Sequence, residues 1–380
     1  MGPLKGIRIV EIAGIGPGPV AAMLLADMGA TVIRVDRKEP SGLGLPRPVE
    51  YDVALRNRKS IRVDLKDPAG RALVLDLVGK ADALIEGFRP GVLERLGLGP
   101  DACLTRNPKL VYGRVTGWGQ DGPLAQAAGH DINYIAVTGV LNAIGRRAQP
   151  PSVPLNVIGD YAGGSLYLAL GILAAILEAR SSGQGQVVDA AIVDGVASLM
   201  TVLVGLREAG MMTGERGTNL LDSGASFYDV YQCADGQYIS IGPIEHKFYL
   251  QLLARIGLDP ATPGDQADER NWPDGKAVLA AAFRTKTRAE WTALLEGTDA
   301  CFAPVLSLEE AYEHPHLRAR KTYIDVAGVR QPAPAPRFSR TSPGNPEPPA
   351  ELNTANAVAA LTDWLPEGEI AALASAGTFC

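Results

Sequence analysis

The sequence predicts an α/β fold, with a large domain built on a parallel sheet followed by a smaller α+β domain. Three observations carry this. A strand, a glycine turn, a helix and a second strand follow one another between Gly6 and Asp36. Strand and helix patterns then alternate as far as Thr116. Near Ser226 the pattern changes to paired strands around an Asp-Gly turn. The first two imply a Rossmann-like sheet, because parallel strands need crossover helices between them. At 380 residues the chain also exceeds the usual size of one core.

Each element has a local reason. Gly6 to Ile12 alternates as a strand does. Gly14 to Pro19 is a turn opening a helix over 20–28, and 31–36 is the second strand. A third strand covers 60–65, and Asp67-Pro68 starts a helix over 69–79, with proline near its first turn. Strands over 83–86 and 110–116 flank a helix over 90–96. The segments 131–144 and 160–179 read as helices, and 186–191 as a strand with a helix after it. Phe227 to Cys233 and Gln237 to Gly242 pair around Asp235-Gly236 as a hairpin. Helices over 246–256 and roughly 274–296 follow. Seven prolines between Gln331 and Ala350 forbid a helix and imply an extended strap, and 354–364 is the last helix. The domains read as 1–190 (large), 191–224 (linker helices), 225–330 (small) and 331–380 (strap and a helix returning to the large domain).

Composition narrows the function. The net charge is −6, with Lys and Arg scattered, which argues against nucleic acid or an anionic membrane as the main partner. The longest apolar run, Leu166 to Leu177, is about half a membrane span and reads as a buried helix. No apolar segment follows Met1 as a signal peptide would require, and Gly-Thr-Phe-Cys at the C-terminus is no peroxisomal address, so a cytoplasmic location is expected. The cysteines Cys103, Cys233, Cys301 and Cys380 share no short spacing and read as free thiols, without a metal site.

Gly14-x-Gly16, with Asp36 20 residues beyond Gly16, partly matches a dinucleotide fingerprint. Pro17 and Pro19 remove N–H donors that a pyrophosphate needs, so a plain tight turn is the better reading. Arg34, Arg37, Lys38, Arg56, Arg58, Lys59, Arg62, Lys66, Arg89 and Arg95 cluster nearby. They read either as a solvated edge or as a phosphate-binding rim for a nucleotide-bearing ligand.

The sharpest chemical signal is His130, one of four histidines, between Gly129 and Asp131. Imidazole ordinarily titrates near neutral pH. Asp160 opens the next apolar segment. Two acid/base groups on adjacent elements can address opposite faces of one carbon. Taken singly, His130 reads as a cap, Asp160 as the N-cap of the helix after it, and Glu245 as a first-turn carboxylate.

Several blocks in order make the chain similar to the family III CoA transferases. They include Gly16-Pro-Gly-Pro19, Val63-Asp-Leu-Lys66, Glu86-Gly-Phe-Arg-Pro-Gly91, Gly129-His-Asp-Ile-Asn-Tyr134, Gly183-x-Gly-Gln-Val-Val-Asp189 and Thr298-Asp-Ala-Cys-Phe-Ala-Pro-Val305. The block from Gly129 to Tyr134 resembles the racemase branch of that family. The resemblance implies an interlocked homodimer and a 2-methyl-branched acyl-CoA substrate, with no separate cofactor because coenzyme A is part of the substrate. It places ribose-phosphate and adenine contacts on Arg37, Val63, Asp64, Leu65 and Lys66, and phosphate contacts on Arg89 and Arg95. Gly129, Ile132, Asn133 and Tyr134 would close over the pantetheine and thioester. His130 and Asp160 would exchange the α-proton, the Asp131 N–H would face the thioester oxygen, and Glu245 would orient His130. The chain departs from the pattern at His246 and Lys247, beside Glu245, and at Asp222-Ser-Gly-Ala. Ile132, Met211, Met212 and Leu221 are candidates for an acyl groove, or are ordinary core. Two other readings stay open: a CoA transferase using Asp160 as nucleophile, and a CoA-binding protein without activity.

Overall fold

The computed structural model describes residues 2–39 and 42–380. The chain divides into two compact units. The larger holds residues 1–138, 155–199 and 318–380, and the smaller holds 139–154 and 200–317. Segment 139–154 and most of 191–224 therefore group with the smaller unit rather than with the large domain and a linker.

In the larger unit six strands form one sheet: β1 (Arg8–Ile12), β2 (Thr31–Asp36), β3 (Lys59–Arg62), β4 (Ala83–Glu86), β5 (Val111–Thr116) and β6 (Gln186–Ala191). Their order is β3-β2-β1-β4-β5-β6 and every pairing is parallel. Alternate side chains of β1 serve opposite faces. Ile9 packs with Ala22, Leu25 and Ile172, whereas Val10 packs with Leu73, Leu77 and Leu361. Each fully buried Leu or Ile contributes roughly 1.5–3 kcal/mol. The chain runs outward from β1 to β3 and then returns to β4, so the order reverses between β1 and β4. Open α/β sheets bind ligands at such a reversal, beyond the carboxyl ends of the strands.

Several helices accompany the sheet. They include α1 (Pro17–Asp27), α2 (Pro68–Val78), α3 (Val92–Arg95), α4 (Pro100–Arg106) and α5 (Asp131–Val137). Helix α1 starts three residues before the expected position, because Pro17 fits the first helical position, where no N–H is needed. Helix α4 was not foreseen. The expected helix over 131–144 is two, α5 and α6 (Val140–Ala143), separated at Gly139 with φ 84°. The expected helix over 160–179 also divides. Val157–Leu166 is π-helical, and α7 (Tyr167–Ser182) continues it as α-helix. Together these 26 residues are long and apolar enough to cross a membrane, but half of the apolar stretch is buried, Leu168 and Ile172 lying against the sheet. Helix α8 (Ile192–Leu199) packs on the π-helical segment.

The C-terminal region begins with a hairpin, Tyr323–Val326 and Val329–Pro332. A stretch without helix or strand follows and is tied down at Glu347, which bonds to Asn57. Two helices end the chain, Thr354–Leu361 and Glu367–Ser375, where one was expected. Ala357, Leu361, Trp364 and Phe379 complete the core beside β3, and Arg62 and Cys380 exchange backbone hydrogen bonds.

The smaller unit carries a three-stranded antiparallel sheet, Asp229–Gln232, Tyr238–Ile241 and Phe302–Pro304. Phe227, Trp272, Phe283 and Trp291 dominate its core. The expected helix over 274–296 is two, Trp272–Phe283 and Arg288–Leu295. Thr287 starts the second, its hydroxyl accepting from the Glu290 N–H while the Glu290 carboxylate accepts from the Thr287 N–H.

Candidate active site

A cavity of about 630 Å³ opens in the larger unit at the reversal between β1 and β4. Its floor is the turn after β1, Ala13 to Pro17. Its walls are the segments after β4 (Gly87 to Pro90) and β5 (Thr116 to Trp118). Arg34, Asp36, Arg37 and Lys38 line the β2 side, and Ala127 to His130, Tyr134 and Asp160 close the other. The β4 wall is held from beneath. Glu86, fully buried, accepts from the Phe88 N–H at 2.7 Å and from Arg114 Nε at 2.6 Å.

His130 is the N-cap residue of α5 and lines the cavity. Its N–H donates to Asn133 Oδ1 at 3.0 Å. This gives Asn133 a capping role, off the cavity wall. Tyr134 donates its hydroxyl to the Gly129 carbonyl and packs edge-on against Trp118, ring centroids 4.8 Å apart. A side chain at Gly129 would meet both rings. Ile132 is 40% exposed and is not a wall residue.

Asp160 reaches the cavity from the π-helical segment. It is not the N-cap expected from sequence, since Asn156 holds that position. Its N–H donates instead to Asp131 Oδ1 at 2.7 Å, and its Oδ2 accepts from Asn156 Nδ2 at 3.2 Å. The Ser165 hydroxyl sits between the carbonyl oxygens of Pro17 and Asp160, at 2.9 and 3.1 Å, tying this segment to the glycine turn. Burial pushes the Asp160 carboxyl above the usual carboxylate range. Asn156 and His130 pull it back, and Asp131 adds to the rise.

The structure sorts the basic cluster. Arg34 is taken by Glu11 and Asp36, Arg56 by Asp27, Arg58 by Glu11, and Lys59 by Asp363. Arg34 also occupies the Asp36 carboxylate that a dinucleotide ribose would need. Arg37, Lys38, Arg62 and Arg89 face the cavity. Among the described residues, no carboxylate pairs with the guanidinium of Arg37, Arg62 or Arg89. Arg37 lies over the Phe88 ring at 5.5 Å, and Lys38 donates to the Gly377 carbonyl. Val63, Asp64, Leu65 and Lys66 are not wall residues. Val63 is fully buried, Leu65 packs on the core, and Asp64 Oδ1 accepts from the Lys66 N–H. Arg95 is exposed, away from the walls. Sequence reasoning missed Trp118 as a wall residue and did not single out Arg62 from the basic cluster.

The family model for "CoA-transferase family III" matches residues 4–354. The chain belongs to this family. Two curated relatives, the alpha-methylacyl-CoA racemases of Mus musculus and Homo sapiens, are each 43% identical to it, over 89% of this chain and 87% of the relative. A solved CAIB/BAIF family protein from Brucella suis superposes with a TM-score of 0.81 at 26% identity, covering 94% of this chain and 98% of the other.

In this family III chain Glu245 lies in the smaller unit as the N-cap residue of His246–Ile256. Beside it, His246 Nδ1 is 3.1 Å from Gln266 Oε1. Gln266 Nε2 donates to the carbonyls of Pro243 and Ile244, so the amide orientation is fixed and His246 Nδ1 carries the hydrogen. The departure at His246 thus anchors the loop that carries Glu245. Met211 and Leu221 are exposed on the smaller unit and are no part of the cavity wall.

Proposed function

We propose that this protein epimerises the α-carbon of 2-methyl-branched acyl-CoA thioesters. The observation that carries the reading is one cavity wall bearing both His130 and Asp160, with Arg37, Arg62 and Arg89 on the same cavity. The guanidinium groups suit the phosphates of coenzyme A. Val63 to Lys66, continuing from Arg62 at the sheet edge, are assigned to its adenosine end, and Arg95 to an outer phosphate contact. Gly129 and Tyr134 flank the thioester, with Ile132 and Asn133 supporting that turn.

His130 takes the α-proton of one enantiomer, and the electron pair moves onto the thioester oxygen as an enolate. The Asp131 N–H, at the first helical position and without an intrahelical acceptor, is the donor assigned to that oxygen. Protonated Asp160 then delivers a proton to the opposite face. The roles reverse for the other enantiomer. The raised Asp160 carboxyl suits this work, because it holds a proton at a higher pH than an ordinary aspartate. A homodimer is part of the proposal: α7 leaves Leu170 and Leu177 exposed at 64% and 69%, an apolar face suited to a second copy.

The test is incubation of one enantiomer of a 2-methylacyl-CoA in D₂O. The expected result is uptake of one deuterium at the α-carbon and drift toward both epimers. Unchanged isotope content and chirality would sink the proposal. Transfer of CoA to a free carboxylate, with the α-hydrogen retained, would establish the nucleophilic use of Asp160 instead.

A further inference from the structure

The Asp131 carboxylate is buried and joins two elements that are neighbours only in the fold. The residue is 7% exposed. Its Oδ1 accepts from the Asp160 N–H at 2.7 Å, and the Gly159 N–H also faces the carboxylate. Its Oδ2 is buried and accepts from no described residue. A side-chain carbon on Gly159 would stand 2.2 Å from Oδ1, so the approach depends on glycine there. Asp131 is also covalently next to His130.

We propose that the Asp131 carboxylate is a positioning residue for the acid/base pair. It clamps the π-helical turn carrying Asp160 to the start of α5 carrying His130, and it sets a negative charge against the Asp160 carboxyl. The proposal rests on the epimerase reading for its catalytic consequence, but not for its structural or electrostatic one. At this first turn of the π-helical segment the peptide N–H groups lack partners within the helix, and the Asp131 carboxylate supplies one for Asp160. A carboxylate with one oxygen satisfied and one dry is costly to keep, which burial registers by pushing Asp131 itself above the usual range. Such a cost is typical of functional sites.

The surroundings isolate the Asp131 effect. From α5, His130 and Tyr134 also face Asp160, and from its own segment Asn156 does. The charged groups on the other elements packed on this segment are paired or turned elsewhere, and none of them is among the groups that shift Asp160. Arg114 on β5 is paired with Glu86 and Glu94, Asp189 on β6 accepts from the Gln120 N–H, and Asp27 on α1 is paired with Arg56. Asp194 on α8 is exposed, and Glu178 and Arg180 lie at the far end of α7.

The experiment compares Asp131→Asn and Asp131→Ala with the unaltered protein. Carboxyl-¹³C aspartate labelling follows the Asp160 titration by NMR, with Asp160→Asn identifying its signal. Asp131→Asn keeps the Oδ1 acceptor and removes the charge, so the Asp160 midpoint falls by about one pH unit while melting changes little. Asp131→Ala also loses the clamp. In deuterium uptake its kcat falls about 100-fold with KM nearly unchanged. An unmoved Asp160 midpoint in folded Asp131→Asn overturns the electrostatic half. Unaltered kcat in folded Asp131→Ala overturns the positioning half, and if that variant does not fold, an Asp131→Asn with normal kcat, midpoint and melting overturns both. If the unaltered protein exchanges no deuterium while the Asp160 midpoint still moves, the epimerase reading fails and the electrostatic half stands.

Discussion

The Asp160 carboxylate lies against Gly16, so close that a side-chain carbon there would stand 3.3 Å from Oδ2. Gly16 has φ 68° and ψ −121°, a region nearly closed to other residues. The turn after β1 is therefore shaped to admit the acid. Gly16→Ala is expected to lose about 1–3 kcal/mol of stability from backbone strain. It should also slow deuterium uptake by on the order of tenfold, by displacing Asp160. Melting curves and uptake rates check the two effects separately. A variant that is less stable but fully active would show that Asp160 does not need this contact.

The two classes of arginine should behave differently. Arg62 and Arg89 face the cavity without carboxylate partners among the described residues, and Arg34 is locked to buried Glu11. Arg62→Ala and Arg89→Ala are expected to raise KM for acyl-CoA about tenfold each, with near-normal melting. The increase should shrink at high salt, since screening already weakens the contacts. Arg34→Ala removes one of the two guanidinium groups on buried Glu11, leaving Arg58, and should cost roughly 1–3 kcal/mol of stability. Steady-state kinetics at two salt concentrations, beside melting curves, read all three. A KM effect confined to Arg34→Ala would reverse the assignment.

Stability should carry the mark of the buried acid. The folded state holds the Asp160 carboxyl above its ordinary value, chiefly through burial. The stability contributed by the protonated form is fully present below the unfolded value, about 3.9, and is lost as pH rises through the folded value. Asp160→Asn is neutral at every pH and keeps an acceptor for Asn156. It is expected to melt higher than the unaltered protein near pH 7 and to converge with it near pH 4, while losing activity. Melting across this range checks it. A gap of the same size at all pH values would mean that desolvation of the charge is not its source.

Much of the fold was legible because its signals are local. Ile9, Val10, Ile33 and Leu84 sit in short apolar runs that read as buried parallel strands, and the turn from Gly14 announces the first crossover. What was not legible depends on partners far along the chain. The π-helical turn at Asp160 is held by Asp131, 29 residues earlier, and no periodicity reports such a bond. The basic cluster could not be sorted without knowing that Glu11, Asp27 and Asp36 had claimed Arg34, Arg56 and Arg58. His130 and Asp160 were visible as residue types, but the sheet reversal that sets both on one wall is a property of strand order.

The two bases should be separable by face. In the proposed mechanism each proton transfer to one face of the α-carbon belongs to one residue. His130→Ala removes one of these residues and leaves Asp160. The enantiomer whose proton faces Asp160 can still be deprotonated and reprotonated on that side, so it should exchange deuterium without inverting. The other enantiomer should lose exchange by about 10²–10⁴-fold. Asp160→Ala should show the opposite preference. Chiral chromatography with mass spectrometry on each pure enantiomer in D₂O reads inversion and isotope content together, and circular dichroism confirms folding. Equal losses for both enantiomers in both variants would mean that a single group serves both faces, and the assignment of two face-specific bases would fall.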